Sequence, residues 1–364
     1  MGNSKKKIIL FMPSIEDGGV EKNFFNIANF FIKKNIKVIV ITAINNSRNR
    51  LNRKIKVRSL SENNKLKRRI KYLLAILLLI RELIFTNKNS IVISFQANIY
   101  CILICKIFNT KVITRSNASI FGWSKNFRLK LYKFFYSLSD CLIVNSNALR
   151  IEFKKILNLK SNLIYNPLDK KRVLTLSKKK IKFKFFKKNT INLINIGRLV
   201  EQKDHLTLLK AIKIVKLSLP IKLIIIGKGP LKKELITYIK NNNLLKEVKI
   251  LNFTSNPFKY FRNTHFFILS SIFEGLPNVL LESILLKKFI ISSNCPTGPK
   301  EILESGKYGA LFKPGDYKQL AKLILNYSKN KKEYQKKIIK GYNSLYRFDY
   351  YNNMHRYLNL VNKL

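Results

Sequence analysis

Apolar runs of strand length recur along the chain and alternate with helical patterns, separated by glycine or polar breaks. Residues 7–13, 140–144, 191–196 and 265–269 read as strands; 24–32 and 278–286 read as helices. This alternation predicts parallel α/β units and argues against a sandwich. At 364 residues the chain exceeds one ordinary core and suits two domains of roughly 150 to 200 residues. The expected architecture is two doubly wound, Rossmann-like α/β domains facing across a cleft. The first is residues 1–172, a basic linker is 173–189, the second domain is 190–345, and a last helix over 346–364 returns to the first domain.

The chemistry concentrates in one segment, Ser270 to Glu282, which reads Ser-Ser-Ile-Phe-Glu-Gly-Leu-Pro-Asn-Val-Leu-Leu-Glu. Glu274 follows the strand at 265–269, and the Gly275-Leu276-Pro277 turn suits proline at the first helical position. A helix from Asn278 puts Glu282 about one turn in, at ~1.5 Å per residue, so both acids can face one crevice. The free amides of that helix start form a ready anion site. A charged helix start would explain the two acids equally well if they stood alone.

A second element lifts the reading. After the strand at 191–196 comes Gly197-Arg198-Leu-Val-Glu-Gln-Lys203, and two cations leaving a strand end can neutralise a diphosphate. Ile-Ile-Ile-Gly227-Lys-Gly-Pro-Leu then precedes the Glu-Gly-Leu-Pro corner. Upstream, the strand at 7–13 leads to Gly18-Gly19 and a helix, where glycines let backbone amides approach a phosphate. It is not the Gly-x-Gly-x-x-Gly fingerprint. In order and spacing these motifs, with Val144-Asn-Ser-Asn-Ala148, Ile164-Tyr-Asn-Pro-Leu168 and Cys295-Pro-Thr-Gly-Pro-Lys-Glu-Ile302, resemble the retaining nucleotide-sugar glycosyltransferases of the GT-B fold, family 4.

That resemblance implies roles. Arg198 and Lys203 would meet the donor diphosphate, Glu282 the ribose hydroxyls, and Glu274 the transferred sugar, with Gly275, Leu276, Asn278 and Val279 offering the helix-start amides. Gly197, Gly227, Phe253 and Thr254 would line the donor site toward the base, and Gly18 and Gly19 would close it from the other domain. Many relatives carry a histidine after the fourth strand, where this chain reads Ile-Ser-Phe-Gln-Ala-Asn98; the next strand ends in Thr-Arg115-Ser-Asn117, similar to Ser-Glu-Arg-Asn residues in some branches, which makes Arg115 and Asn117 acceptor-side or donor-phosphate candidates. His205 and His265 do not replace that histidine. The implied reaction moves a hexose or N-acetylhexosamine from a UDP-sugar to a glycan or polyprenyl-diphosphate-linked acceptor in surface polysaccharide or lipopolysaccharide synthesis. No cofactor or metal is expected, since the two cations can carry the leaving-group charge and no Asp-x-Asp occurs. A sugar-nucleotide epimerase of the same fold, or a noncatalytic basic binding protein, are the competing readings.

The net charge of +52, with a pI near 10.3, has two readings. Lysine, isoleucine and asparagine are all abundant, as an A/T-rich genome would give. Alternatively, basic segments seek anionic lipid at roughly 1 kcal/mol per nearby cation. Residues 65–81 combine basic ends with an apolar body that suits a helix packed in the first domain with its basic end at the lipid, and the similar stretch 125–136 reads as a core-packed helix preceding the strand at 140–144. No recognised nucleic-acid module accompanies the charge. The longest apolar run, 73–80, is far short of the about 20 residues a spanning helix needs, and the N-terminus lacks a signal-peptide pattern. The expected location is cytoplasmic, peripheral at the inner face of the plasma membrane. Four scattered cysteines indicate neither a zinc site nor a disulfide framework.

Overall fold

The computed structural model describes residues 6–15, 18–44, 50–61, 66–86, 89–120, 126–181, 183–187, 189–327 and 330–364, without the side chains of 126–128. Thus Lys65 and Lys125, at the starts of the two basic helices, and Lys182 and Lys188 of the basic run lie outside the described residues.

The chain forms two compact units, residues 1–167 with 351–364, and 168–350. Unit one contains a seven-stranded sheet built from β1 (Lys7–Phe11), β2 (Lys37–Ile41), β3 (Lys56–Arg58), β4 (Ser90–Ser94), β5 (Lys111–Ser116), β6 (Cys141–Val144) and β7 (Asn162–Leu163), in the order β3-β2-β1-β4-β5-β6-β7. Every pairing is parallel. Strands buried on both faces read as near-continuous apolar runs, which is why Ile8 to Phe11 and Ile91 to Ile93 are buried throughout. The second sheet has six strands, β8 (Ile191–Ile196), β9 (Ile221–Ile226), β10 (Val248–Leu251), β11 (Phe266–Leu269), β12 (Phe289–Ser293) and β13 (Ala310–Phe312), in the order β10-β9-β8-β11-β12-β13. It too is parallel throughout. Its core runs from Leu193, Leu223 and Phe266 outward to Leu208, Ile212 and Ile324.

Both sheets reverse winding direction beside their first strand, between β1 and β4 and between β8 and β11. In open parallel sheets the crevice outside the carboxyl ends of strands at such a switch is where ligands bind. Local chemistry sets what emerges there. Asp204, in the left-handed region at φ 44°, ends the turn after β8 and caps the helix His205–Val215 by accepting from the Thr207 amide at 3.2 Å.

The stretch expected as a linker is counted with the second unit. Phe183 meets Tyr260 edge to face at 5.2 Å, and Lys222 and Lys249 lie over Phe185 and Phe183. The aromatics that interrupt the lysines give this run an apolar side to pack. The last helix, Tyr350–Lys363, packs from Tyr351 onward with unit one, where His355 contacts Phe30 and Lys6 donates to the Val361 carbonyl. The basic helix Arg68–Ile84 divides its faces: Ala75, Leu79 and Leu83 enter the core, while Ile70, Leu73, Leu77 and Ile84 remain exposed. Among the described residues no helix is long and apolar enough to cross a membrane.

Candidate active site

The second unit assembles its site at the β8/β11 switch. Gly197, Arg198 and Lys203 leave the end of β8, and Ser270 to Pro277 leave the end of β11. Lys203 Nζ donates to Glu274 Oε1 at 2.5 Å, with side-chain exposures of 16% and 8%. Ser271 Oγ donates to the same oxygen at 2.6 Å. Both described bonds fall on Oε1, so Oε2 is the side of the carboxylate that faces no described donor. An ion pair this enclosed is favourable only with good geometry and further hydrogen bonds, which Ser271 supplies.

The backbone around the pair is cross-tied. Ser270 Oγ donates to the Lys203 carbonyl at 2.8 Å, the Ile272 amide to the Gln202 carbonyl at 2.8 Å, and Gln202 Nε2 to the Phe273 carbonyl at 2.9 Å. Thr297 Oγ1 donates to the Glu274 carbonyl, and Ser293 Oγ to the Ser271 carbonyl at 2.6 Å. Arg198 is exposed, with Nη2 3.4 Å from Gln202 Oε1, so its guanidinium has room to meet an anion.

Two glycines are required by close approach. A Cβ on Gly227 would overlap the Gly197 carbonyl oxygen, which lets the ends of β8 and β9 close together. Gly298, at φ +54°, sits where a Cβ would strike the Gly275 carbonyl. The expected proline position shifts by one: Pro277, φ −72° and ψ 109°, precedes the helix Asn278–Leu285, and Asn278 opens it. An extended ψ at that proline turns the chain out of the corner before helical geometry begins. Glu282 is buried one turn in, Leu276 is buried, and Gly275, Asn278 and Val279 are half-buried. On the β9/β10 side Phe253 is exposed beneath Lys228 Nζ at 4.9 Å, beside the half-buried Thr254.

In the first unit Gly18 precedes the helix Gly19–Lys33 with no side-chain cap, and the Glu21 carboxylate folds back to where a Cβ on Gly18 would sit. A carboxylate there already answers the positive end of the helix. Arg115 departs from expectation. Its guanidinium is fully buried, with Nη1 donating to Asn117 Oδ1 at 2.5 Å, Nη2 to Asn166 Oδ1 at 2.6 Å, and Phe95 at 5.8 Å from its centre. It braces the ends of β5 and the 164–168 loop internally, and in this conformation neither it nor the Asn117 oxygen it holds is turned out toward an acceptor.

His205 and His265 are tied into the fold by hydrogen bonds. His205 is buried against Asn195 Oδ1 at 3.1 Å, and burial, reinforced by Lys203, pushes its imidazole down to about 4. His265 Nδ1 accepts from the Asn192 amide at 3.0 Å, and burial lowers it as well. Ser271, Gln202, Thr297 and Gly298 were not among the expected site residues. The Cys-Pro-Thr-Gly-Pro segment carries a signal for the last two, because Thr-Gly between prolines marks a constrained turn. Among the described residues no three His, Cys, Asp or Glu side chains cluster as metal ligands.

Residues 17–172 match the family model described as Glycosyltransferase Family 4, and residues 177–344 match Glycosyl transferases group 1. An uncharacterized glycosyltransferase of Methanocaldococcus jannaschii is 35% identical over 58% of this chain and 59% of its own length. The Campylobacter jejuni protein named "GalNAc-alpha-(1->4)-GalNAc-alpha-(1->3)-diNAcBac-PP-undecaprenol alpha-1,4-N-acetyl-D-galactosaminyltransferase" is 26% identical over 90% of this chain and 91% of its own. The match thus spans about three fifths of the archaeal relative and nearly all of the bacterial one. Among solved structures, a glycosyltransferase from Rickettsia africae superposes with a TM-score of 0.81 at 17% identity, covering 99% of this chain and 98% of that one. HepE of Anabaena, solved with UDP, superposes with a TM-score of 0.79 at 16% identity, over 98% and 100% of the two chains.

Proposed function

Because the chain belongs to the glycosyltransferases of the group 1 and family 4 type, with their GT-B pair of Rossmann-like domains, we propose that it transfers a hexose or N-acetylhexosamine from a UDP-sugar, with retention, to a glycan or polyprenyl-diphosphate-linked acceptor of a bacterial surface polysaccharide. The observation that carries this reading is the Lys203–Glu274 pair, which sets an ammonium that can meet a diphosphate beside a carboxylate that can accept from sugar hydroxyls at the β8/β11 switch.

Charge develops on the departing diphosphate oxygen and on an oxocarbenium-like sugar. Arg198 and Lys203 meet the first, two cations leaving one strand end beside a partly enclosed site, where charge developing on the leaving group is stabilised more than in water. Lys203 needs only to pivot from Glu274 Oε1 toward a phosphate to do so. Ser271 then remains on the carboxylate, whose Oε2 accepts from a sugar hydroxyl. In this reading Glu282, buried one turn into the helix from Asn278, accepts from the ribose hydroxyls, and Lys228 over Phe253 flanks the base. Metal independence belongs to the proposal, because two side-chain cations can do the neutralising.

The UDP complex of the Anabaena neighbour and the undecaprenol-linked glycan in the Campylobacter relative's name support the donor and acceptor classes. Peripheral attachment to an anionic inner leaflet is supported by Ile70, Leu73, Leu77 and Ile84, exposed beside Arg68 and Arg81 on one helix. The test is transfer from labelled UDP-glucose, UDP-galactose and their N-acetyl forms, in EDTA, to a polyprenyl-diphosphate glycan, with the product anomer read by NMR. Failure of every UDP-sugar while a GDP- or ADP-sugar turns over would replace the donor assignment.

A further inference from the structure

The opposite end of the first unit's sheet holds a second concentration of charge. Lys7 and Lys37, the first residues of β1 and β2, are in parallel register, and Lys56, the first of β3, lies opposite Ile39. Neighbouring strands are about 4.8 Å apart, and registered residues share a face. Four cations, Lys7, Lys37, Lys56 and Arg58, therefore project on the same side of three adjacent strands, and Arg81 joins them from the helix Arg68–Ile84. Together they line a cavity of about 300 Å³. Within it the acid is Glu82, which accepts from Lys7 Nζ at 2.7 Å and from Arg58 Nε at 3.0 Å. Burial opposes ionisation of Glu82, but these two bonds outweigh it and hold the carboxyl below its ordinary range.

One carboxylate among five cations leaves a net excess of four in a concave site. Like charges opposite one another across strands destabilise a sheet, and among the described residues no lining acid answers Lys37, Lys56 or Arg81. We propose that this cavity binds a multivalent phosphate-type anion, either a free diphosphate or the phosphate of an anionic lipid headgroup. Ammonium and guanidinium groups converging from three strands and a helix suit several phosphate oxygens at once. The site is separate from the candidate active site: it is lined from the first residues of β1 and β2 and from β3, whereas Gly18 follows the carboxyl end of β1. It stands independently of the transferase reading.

The exposed members test it without disturbing the Glu82 pairs. K37E/K56E is compared with K332E/K336E, which makes the same charge change on an exposed helix of the other unit and leaves both sites intact. Melting temperature is titrated with inorganic pyrophosphate, and sedimentation is measured with vesicles of phosphatidylglycerol in phosphatidylcholine and of phosphatidylcholine alone. Each lost charge-assisted bond is worth about tenfold or more in affinity. A saturable pyrophosphate shift weakened at least about tenfold in K37E/K56E and retained in the control assigns a free anion. Selective loss of binding to the anionic vesicles, without a pyrophosphate effect, assigns a lipid headgroup. Equal behaviour of the two variants in both assays overturns the proposal, since net charge alone would then account for any binding.

Discussion

The Lys203–Glu274 pair gives the sharpest prediction, because it ties stability and catalysis to the same two atoms. Removing one partner of a buried pair costs roughly 3–5 kcal/mol, mainly because the other charge is left uncompensated. Lys203 retains 16% side-chain exposure, so the lower end, about 3 kcal/mol, is expected for Glu274→Gln or Lys203→Met alone. For a unit the size of 168–350 this lowers the melting temperature by roughly 6–12 °C. The double variant K203M/E274Q removes both charges at similar volume and should recover to within about 1 kcal/mol of the native protein. Activity should not recover. Loss of one preorganised cation or acceptor at developing charge lowers kcat/KM by about 10²–10³, and the double variant should stay as inactive as the worse single one. The assay is a double-mutant cycle read twice, by calorimetry and by sugar transfer from UDP-donor. Additive destabilisation would refute the buried-pair argument, and a folded, fully active Lys203→Met would refute the diphosphate role.

Gly227→Ala must separate the ends of β8 and β9, because its Cβ overlaps the Gly197 carbonyl; a loss of about 1–3 kcal/mol and a raised KM for donor are expected, measured by denaturant titration and initial rates. Ser271→Ala removes the second donor to Glu274 Oε1 and should cost about 1–3 kcal/mol, read from the melting temperature, while sparing binding of UDP alone. His205, held down to about 4 by burial, binds fewer protons folded than unfolded below its ordinary 6.5. Its contribution is therefore complete above that value and is lost as pH falls from 6.5 toward 4, by at most about 3 kcal/mol. His205→Gln should flatten that acid-side decline relative to the native protein in melting curves from pH 7.5 to 4.5. Arg115→Lys cannot span Asn117 and Asn166 as the guanidinium does; it should lower the melting temperature while leaving KM for donor unchanged, and a selective rise in KM for acceptor would instead restore an acceptor contact.

The parallel α/β class, the strands at 191–196 and near 265–269, and the corner that carries Glu274 were all legible in the chain, because periodicity, glycine and proline act over a few residues. So was the clustering of Arg198 and Lys203 after a strand. What local pattern cannot contain is which strand ends become neighbours. Lys203 and Glu274 are 71 positions apart and meet because β8 pairs with β11; sheet order depends on how whole helix–strand units pack, and so do Ser271 and Thr297 as their supports. The same limit hid the burial of Arg115, since an arginine at a strand end reads identically whether its fork turns outward or onto Asn166. It also hid the five-cation cavity, where lysines beginning three separate strands looked like solvated charge until register set them on one face. Side-chain type and spacing determined the elements and the chemistry on offer, whereas long-range pairing and burial decided which charges confront one another, because an ion's energy depends on its partner and its water far more than on its neighbours in sequence.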